Sequence, residues 1–127
     1  MIDMDEFNLI GNEKYQKAVN WSSRKLEKAL HKEAQGATIT KSTIKKMELE
    51  INHLLAKSSE LIGANINADN INEYIEKIQN NVLLVQLKVN ESEIQLLVNR
   101  LTQARHRLQD HSTCKSYLLD LLKRKNQ

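Results

Sequence analysis

The sequence of 127 residues contains no proline and only three glycines, at positions 11, 36 and 63. Proline and glycine are the residues that most disfavour the interior of an α-helix, so their scarcity leaves long stretches free to be helical. Each glycine lies between segments whose apolar residues recur every three or four positions. This pattern predicts an all-α fold in which the glycines mark helix boundaries.

Aromatic residues, cysteines and long apolar runs are also scarce. With one Phe, one Trp and three Tyr, a core has to be built from Leu, Ile and Val. The single cysteine, Cys114, excludes an intramolecular disulfide. No apolar run approaches the roughly 18 residues of a membrane span, and the acidic start of the chain does not resemble a secretory signal. We therefore expect a cytoplasmic protein with one domain over residues 1–127.

Motifs of common catalytic chemistry are absent from the sequence. It contains no glycine-rich phosphate loop, no Gly-x-Ser-x-Gly, no Cys-x-x-Cys and no His-Glu-x-x-His. Asp110, His111 and Cys114 lie close together, but a metal site would need a fourth ligand and a closed shell. We interpret His111 as a polar residue at a core position that fixes the register between helices. The sequence thus predicts no enzyme activity, no metal and no cofactor.

The apolar spacing predicts three helices after a short lead segment or tail. The lead segment covers residues 1–11, and the helices cover 12–35, 40–62 and 67–125. Thr40 and Asn67 suit the N-caps of the second and third helices, and Ile39 and Ile66 before them could each pack onto the following turn. Gly36 and Gly63 would end the first and second helices.

The third predicted helix contains a change of register. Its first half follows one heptad register up to Val89, and its second half follows another from Ile94 onward. The two registers differ by two residues near Asn90. We therefore expect a break, a kink or a register shift at that residue.

A turn near Ile66 would fold the chain into an antiparallel hairpin. Gly36 would then lie opposite about residue 96, and Glu33 would lie near Arg100. The predicted fold class is an all-α three-helix bundle or a long antiparallel helical hairpin with a coiled-coil register.

Between Val82 and Val89 the sequence is apolar on nearly every helix face, which is more than a two-helix seam can bury. We therefore expect a homo- or hetero-oligomer. The expected function is a non-enzymatic interaction module, such as an adaptor, an assembly subunit or an escort chaperone, that binds another helical protein through exposed heptad faces. The candidate partner-binding residues are Trp21, Leu84, Leu87, Leu97, Leu118, Leu119 and Leu122.

The charge distribution suggests an alternative function. Residues 100–127 contain seven basic and two acidic residues, and six of the basic ones, which flank the apolar seam or close the chain, form a candidate basic patch. The patch consists of Arg100, Arg105, Arg107, Lys123, Arg124 and Lys125. The alternative is binding of nucleic acid or an anionic membrane by this patch. A solvated face with a favourable cationic helix end is the simpler interpretation, because no aromatic residues interleave with the basic ones.

Overall fold

A computed structural model describes residues 14–126 of the chain. A short 3-10 helix, Ala18–Asn20, precedes three α-helices: α1 (Ser23–Ile62), α2 (Ile71–Lys77) and α3 (Asn81–Lys125). The two long helices, α1 and α3, pack against each other, and the described residues contain no strand. The all-α prediction is confirmed. The predicted lead segment, residues 1–11, lies outside the described part of the chain.

The chain divides into two compact units, where the sequence suggested one domain. Of the described residues, the first unit comprises 14–42 and 104–126, and the second comprises 43–103. Both long helices contribute residues to each unit, and each unit has its own hydrophobic core.

The core of the first unit forms between the beginning of α1 and the end of α3. Leu26, Cys114 and Leu118 are almost completely buried there. Residues 15 and 18, which precede α1, pack on the same cluster. Burial raises the pKa of the Cys114 thiol, and the nearby Glu33 carboxylate adds to this effect. Cys114 is therefore a small apolar core residue rather than a reactive thiol.

The core of the second unit combines the two long helices with the segment that connects them. Leu54 of α1 packs with Leu87 and Ile94 of α3, and Ile66 and Ile71 cover this cluster from the connecting segment. The connecting segment is thus a part of the core and not a simple turn. Removing one buried side chain of this core, as in Leu87→Ala, typically costs about 2–5 kcal/mol of unfolding free energy.

The predicted boundary between the first two helices is wrong. Helix α1 runs without interruption from Ser23 to Ile62 and contains both Gly36 and Thr40. Thr40 is buried inside the helix and Ile39 is 68% exposed, so neither residue forms a helix start. One glycine within a helix costs only about 1 kcal/mol, which packing can offset.

The other end of α1 agrees with the sequence. Gly63 has a φ of 75°, and its N–H donates to the carbonyl of Ser59 at 2.8 Å. A left-handed glycine just after the last helical residue is a common helix C-terminus. The first predicted helix, 12–35, is in contrast not continuous over the described residues, because α1 begins only at Ser23. At this start the Ser22 hydroxyl accepts the N–H of Lys25 at 3.2 Å.

The predicted third helix, 67–125, is two helices. Asn67 does act as a local cap, since its side-chain oxygen accepts the N–H groups of Asp69 and Asn70, both at 2.9 Å. The residues that follow form a turn, and α2 begins only at Ile71. This helix then ends at Lys77.

The interruption lies at residues 78–80 and not at Asn90. Asn80 caps α3, because its side-chain oxygen accepts the N–H groups of Val82 at 3.0 Å and Leu83 at 3.3 Å. Helix α3 is then continuous to Lys125, so of the three possibilities at Asn90, a break, a kink or a register shift, the break is wrong. An asparagine side chain can replace a backbone group as hydrogen-bond partner and so favour a helix end, and the asparagine that does this here is Asn80.

Asn90 has a different role, which accounts for the register change in the sequence. Its side chain is buried, and its Nδ2 donates to the hydroxyl of Ser58 on α1 at 3.0 Å. The Ser58 hydroxyl in turn donates to the carbonyl of Leu54 at 2.8 Å. A buried polar pair in an apolar seam specifies the register of two helices.

The observed register of the long helices differs from the predicted one. Gly36 lies against His111 instead of residue 96, and Glu33 bonds to His111 instead of approaching Arg100. The reason is the long connection after α1, which includes α2 and shifts every pairing along α3.

A double-mutant cycle tests the role of the Ser58–Asn90 pair. Ser58→Ala removes the acceptor for a buried amide and should cost about 1–3 kcal/mol of unfolding free energy. Ser58→Ala and Asn90→Ala together should be less destabilising than the sum of the single changes, by about 1 kcal/mol. Urea denaturation of the four proteins measures this difference.

The matched control for this cycle is Thr102→Ala combined with Asn90→Ala. The Thr102 hydroxyl is exposed and donates to the carbonyl of Val98 in its own helix. These two changes should be additive within about 0.5 kcal/mol. Additivity of the Ser58 and Asn90 changes would contradict the proposed coupling.

Candidate functional site

The most distinctive site in the described part of the chain is centred on a buried carboxylate, Glu33. One carboxylate oxygen, Oε1, accepts hydrogen bonds from Lys14 Nζ and from the Tyr15 hydroxyl, both at 2.5 Å. The other, Oε2, lies 2.6 Å from Nδ1 of His111. A buried charge is tolerated only when it is paired and hydrogen-bonded, and Glu33 meets this condition with three donors.

The electrostatics keep Glu33 ionised. Burial alone would raise the pKa of Glu33, but hydrogen bonds from His111, Lys14 and Tyr15 outweigh it and leave the pKa below 4.5. Burial, assisted by the hydrogen bond to Glu33, raises the pKa of Tyr15 well above its usual value of 10. Neither group is therefore adjusted to exchange protons near neutral pH, as a general acid or base would be. The arrangement suits a structural anchor.

Gly36 gives His111 access to Glu33. A methyl group at position 36 would lie 2.6 Å from Cε1 and 2.9 Å from Nε2 of the imidazole. The glycine therefore permits a close approach of the ring to α1, one turn away from the carboxylate. His111 links the two long helices, as the sequence suggested, although its partner Glu33 was not identified.

A cleft of about 720 Å³ lies beside Glu33. We call it the lysine cleft; it is lined by Lys14, Tyr15, Trp21, Lys25, Lys28, Ala29, Lys32, Glu33 and His111. Trp21 meets Tyr15 edge to face, with ring centroids 5.8 Å apart. The ammonium group of Lys25 lies 4.4 Å from the centroid of the Trp21 ring. The cleft thus combines an aromatic wall with several cations.

Sequence reasoning missed this site, apart from His111 and Trp21. The seven-residue spacing of Leu26, Glu33 and Thr40 is visible in the sequence, but only the structure shows that all three are buried. A charged residue between two buried positions of one heptad series indicates a buried charge with partners elsewhere. Those partners could not be identified, since Lys14 and His111 are distant in sequence.

The structure corrects the predicted partner-binding residues. Leu87, Leu97 and Leu118 are core residues, with exposed fractions of 8% or less. They are buried within this chain because α3 turns these residues toward α1, so they do not form a docking surface. Leu119 is exposed, and the other three predicted residues, Trp21, Leu84 and Leu122, are partly buried.

A different set of apolar residues on α3 is exposed to solvent. Val82, Val85, Val89 and Leu96 have exposed fractions of 78%, 62%, 47% and 50%. Their spacings of three, four and seven residues place them on one face of α3. We call this face the apolar stripe. It includes residues from the segment, Val82 to Val89, whose excess apolar character was visible in the sequence.

The six predicted basic residues are all exposed. Arg100 belongs to the second unit and the others belong to the first. Arg124 forms an ion pair of 2.9 Å with Asp120, one turn earlier in α3. The three basic residues in the last turn of α3 interact favourably with the helix dipole. These observations agree with a solvated, cationic helix end.

Within residues 14–126, no group of three or more His, Cys, Asp or Glu side chains is placed to hold a metal ion. Asp110, His111 and Cys114 diverge, since Cys114 is buried in the core and His111 faces Glu33. In the same part of the chain, no helix has the length and apolar character needed to span a membrane.

Comparison of the chain with protein-family models, curated proteins and solved structures finds no match.

The close contact between Gly36 and His111 predicts that Gly36→Ala has opposite effects on stability in the natural protein and in a His111→Ala variant. In the natural sequence, Gly36→Ala should destabilise the protein by about 1 kcal/mol, because displacing the imidazole weakens its bond to a charged group. In a His111→Ala background, the same change should stabilise the protein by about 1 kcal/mol, the helix propensity gain of alanine over glycine. Thermal or urea denaturation measures both effects. Equal effects in the two backgrounds would show that His111 does not restrict position 36.

The lowered pKa of Glu33 predicts a pH-dependent contribution to stability. Its contribution should be fully present above pH 4.5, the ordinary pKa, and should be lost as the pH falls through the lower pKa of the folded protein. At pH 7, Glu33→Gln should cost about 2 kcal/mol, as expected for hydrogen bonds to a charged group. The difference between natural protein and variant should shrink by pH 3.

Urea denaturation at pH 7, 5 and 3 measures this dependence. Glu27→Gln, an exposed change on the same helix, is the control and should alter stability by less than about 0.5 kcal/mol throughout. A Glu33→Gln effect of the same size at pH 3 and pH 7 would refute the assignment.

Proposed function

We propose that this protein is a non-enzymatic interaction module that binds a helix of another protein chain through the apolar stripe. The observation that carries the proposal is the exposure of four large apolar side chains on one face of α3, Val82, Val85, Val89 and Leu96. Exposed apolar surface that is aligned in this way is typical of docking sites for an amphipathic helix.

The charges beside the apolar stripe support a second copy of this chain as the partner. If Val82 and Val89 occupy heptad position a, and Val85 position d, Lys88 occupies g and Glu93 occupies e. In a parallel pair of helices, position g of one chain faces position e, five residues further on, of the other. Lys88 would face Glu93 of the second copy, and both residues are exposed.

The seam would be short and of moderate strength. From Val82 to Leu96 it covers about four turns of helix, and Ser92 lies within it at a d position. The stripe is displayed by a helix that is already folded, so less conformational entropy is lost on binding than for a free peptide. We therefore expect a reversible complex.

Adaptor, assembly subunit and escort chaperone are the roles that fit such a surface. The proposed location is the cytoplasm, because the single cysteine is buried and forms no disulfide, as is usual in reducing compartments.

The alternative function, binding of nucleic acid or an anionic membrane by the basic patch, has less support. Arg124 already pairs with Asp120, and the cations of the last turn stabilise the end of α3. The patch contains no aromatic residue on which bases could stack.

The apolar stripe predicts that one substitution abolishes self-association without unfolding the protein. Val85→Asp places a charge in the centre of the stripe and should convert a dimer into a monomer in multi-angle light scattering. Val85 is 62% exposed, so the folding stability should change by no more than about 0.5 kcal/mol. The matched control is Leu49→Asp, a change at an apolar residue of 61% exposure on α1, which should leave the dimer intact.

Charge exchange tests the parallel orientation of the two helices in the dimer. Lys88→Glu should weaken the dimer, and adding Glu93→Lys should restore it.

Two outcomes of the Val85 experiment decide between partners. If the natural protein is a monomer but binds a helix of a different protein, and Val85→Asp abolishes this binding, a second copy is not the partner, while the role as an interaction module is supported. Identical behaviour of the Val85 and Leu49 variants would refute the function itself.

A further inference from the structure

Among the described residues, the lysine cleft is lined by four lysines and only one carboxylate. Lys25, Lys28 and Lys32 line it from α1, with spacings of three and four residues that place them on one helix face. Like charges at these spacings destabilise a helix. Neither Lys28 nor Lys32 forms an ion pair with another described residue.

Glu33 is the one acidic residue that lines the cleft within the described part of the chain, and it does not neutralise these three lysines. Glu33 already accepts hydrogen bonds from Lys14, Tyr15 and His111. Its carboxylate is buried, and both of its oxygens contact these partners and not the lysines on the open side of the cleft. Among residues 14–126, these three cations therefore line an open cleft without a carboxylate of their own.

We propose that the lysine cleft binds a small phosphate polyanion, such as pyrophosphate or the phosphate chain of a nucleotide. Lys25 and Lys32 are seven residues apart, which separates their positions on the helix by about 10 Å. An anion with charges distributed over two or three phosphate groups can reach along this row, whereas a single carboxylate cannot. Lysine is a common phosphate ligand because its ammonium group acts as a compact point charge.

The size and the wall of the cleft agree with this ligand class. A volume of about 720 Å³ falls within the range of small-molecule sites, roughly 300–1,000 Å³. The rings of Tyr15 and Trp21 form an apolar side next to the cations. This wall offers a contact for an organic group attached to the phosphates. The proposal does not depend on the apolar stripe, which consists of other residues.

The chain contains its own reporter for such binding. Trp21 is the only tryptophan, and the ammonium group of Lys25 lies over its ring. A phosphate that attracts Lys25 changes the environment of the indole, so tryptophan fluorescence should change on binding.

The experiment is a titration of the full chain with inorganic pyrophosphate, inorganic tripolyphosphate and ATP, followed by tryptophan fluorescence and calorimetry. We expect a saturable change with one site per chain that weakens as the salt concentration rises, because exposed charges are screened. The double variant Lys28→Gln/Lys32→Gln should weaken binding at least about tenfold. The matched control is Lys41→Gln/Lys45→Gln, two exposed lysines with the same spacing on the same helix but outside the cleft, which should bind as the natural protein does.

Each outcome is informative. Equal affinity for tripolyphosphate and ATP would support recognition of the phosphate chain alone, and tighter binding of ATP would support an additional contact with the aromatic wall. The absence of a saturable signal with all three anions would overturn the proposal. Equal weakening in the two double variants would also overturn it, because it would show a general effect of net charge.

Discussion

The need to compensate one buried carboxylate organises the first unit. Glu33 lies on α1, but its donors come from the segment before α1 and from α3, so the charge is satisfied only when all three segments are in place. This requirement accounts for several separate observations. Position 36 has no side chain, which allows the imidazole of His111 to lie against α1. The raised pKa of Tyr15 keeps its hydroxyl protonated, so that it can donate to Glu33. Burial of apolar side chains such as Leu26 and Leu118 has little directionality, whereas the hydrogen bonds of Glu33 require one arrangement of the three segments.

The second unit applies the same principle with neutral groups. The amide of Asn90 and the hydroxyl of Ser58 meet inside an apolar seam, and a slipped register would leave the amide without its partner. Apolar side chains such as Leu54 and Leu87 would tolerate several registers, since their attraction has little directionality. Polar pairs thus determine which register is adopted in both units.

The apolar stripe lies outside the core, whereas the lysine cleft borders the core of the first unit through Tyr15 and Trp21. On α3 the apolar stripe is separated from the core-facing residues, so Val82 and Val85 can remain exposed while Leu87 is completely buried. In the first unit, Glu33 is engaged by Lys14, Tyr15 and His111, so Lys28 and Lys32 of the lysine cleft form no ion pair with another described residue. Both surfaces carry an unfavourable exposure or repulsion in the isolated chain, which a bound partner or anion would relieve.

The sequence by itself determined the helical class, the end of α1 at Gly63 and the local cap at Asn67. These features depend on neighbouring residues alone, so periodicity and capping rules suffice to predict them. Only the tertiary structure decided that Gly36 lies inside a helix and that the interruption falls at Asn80 instead of Asn90. The physical reason is that glycine and asparagine have more than one role. Gly36 could end a helix or admit a neighbouring ring, and only the contact with His111, 75 residues away by the numbering, selects between them.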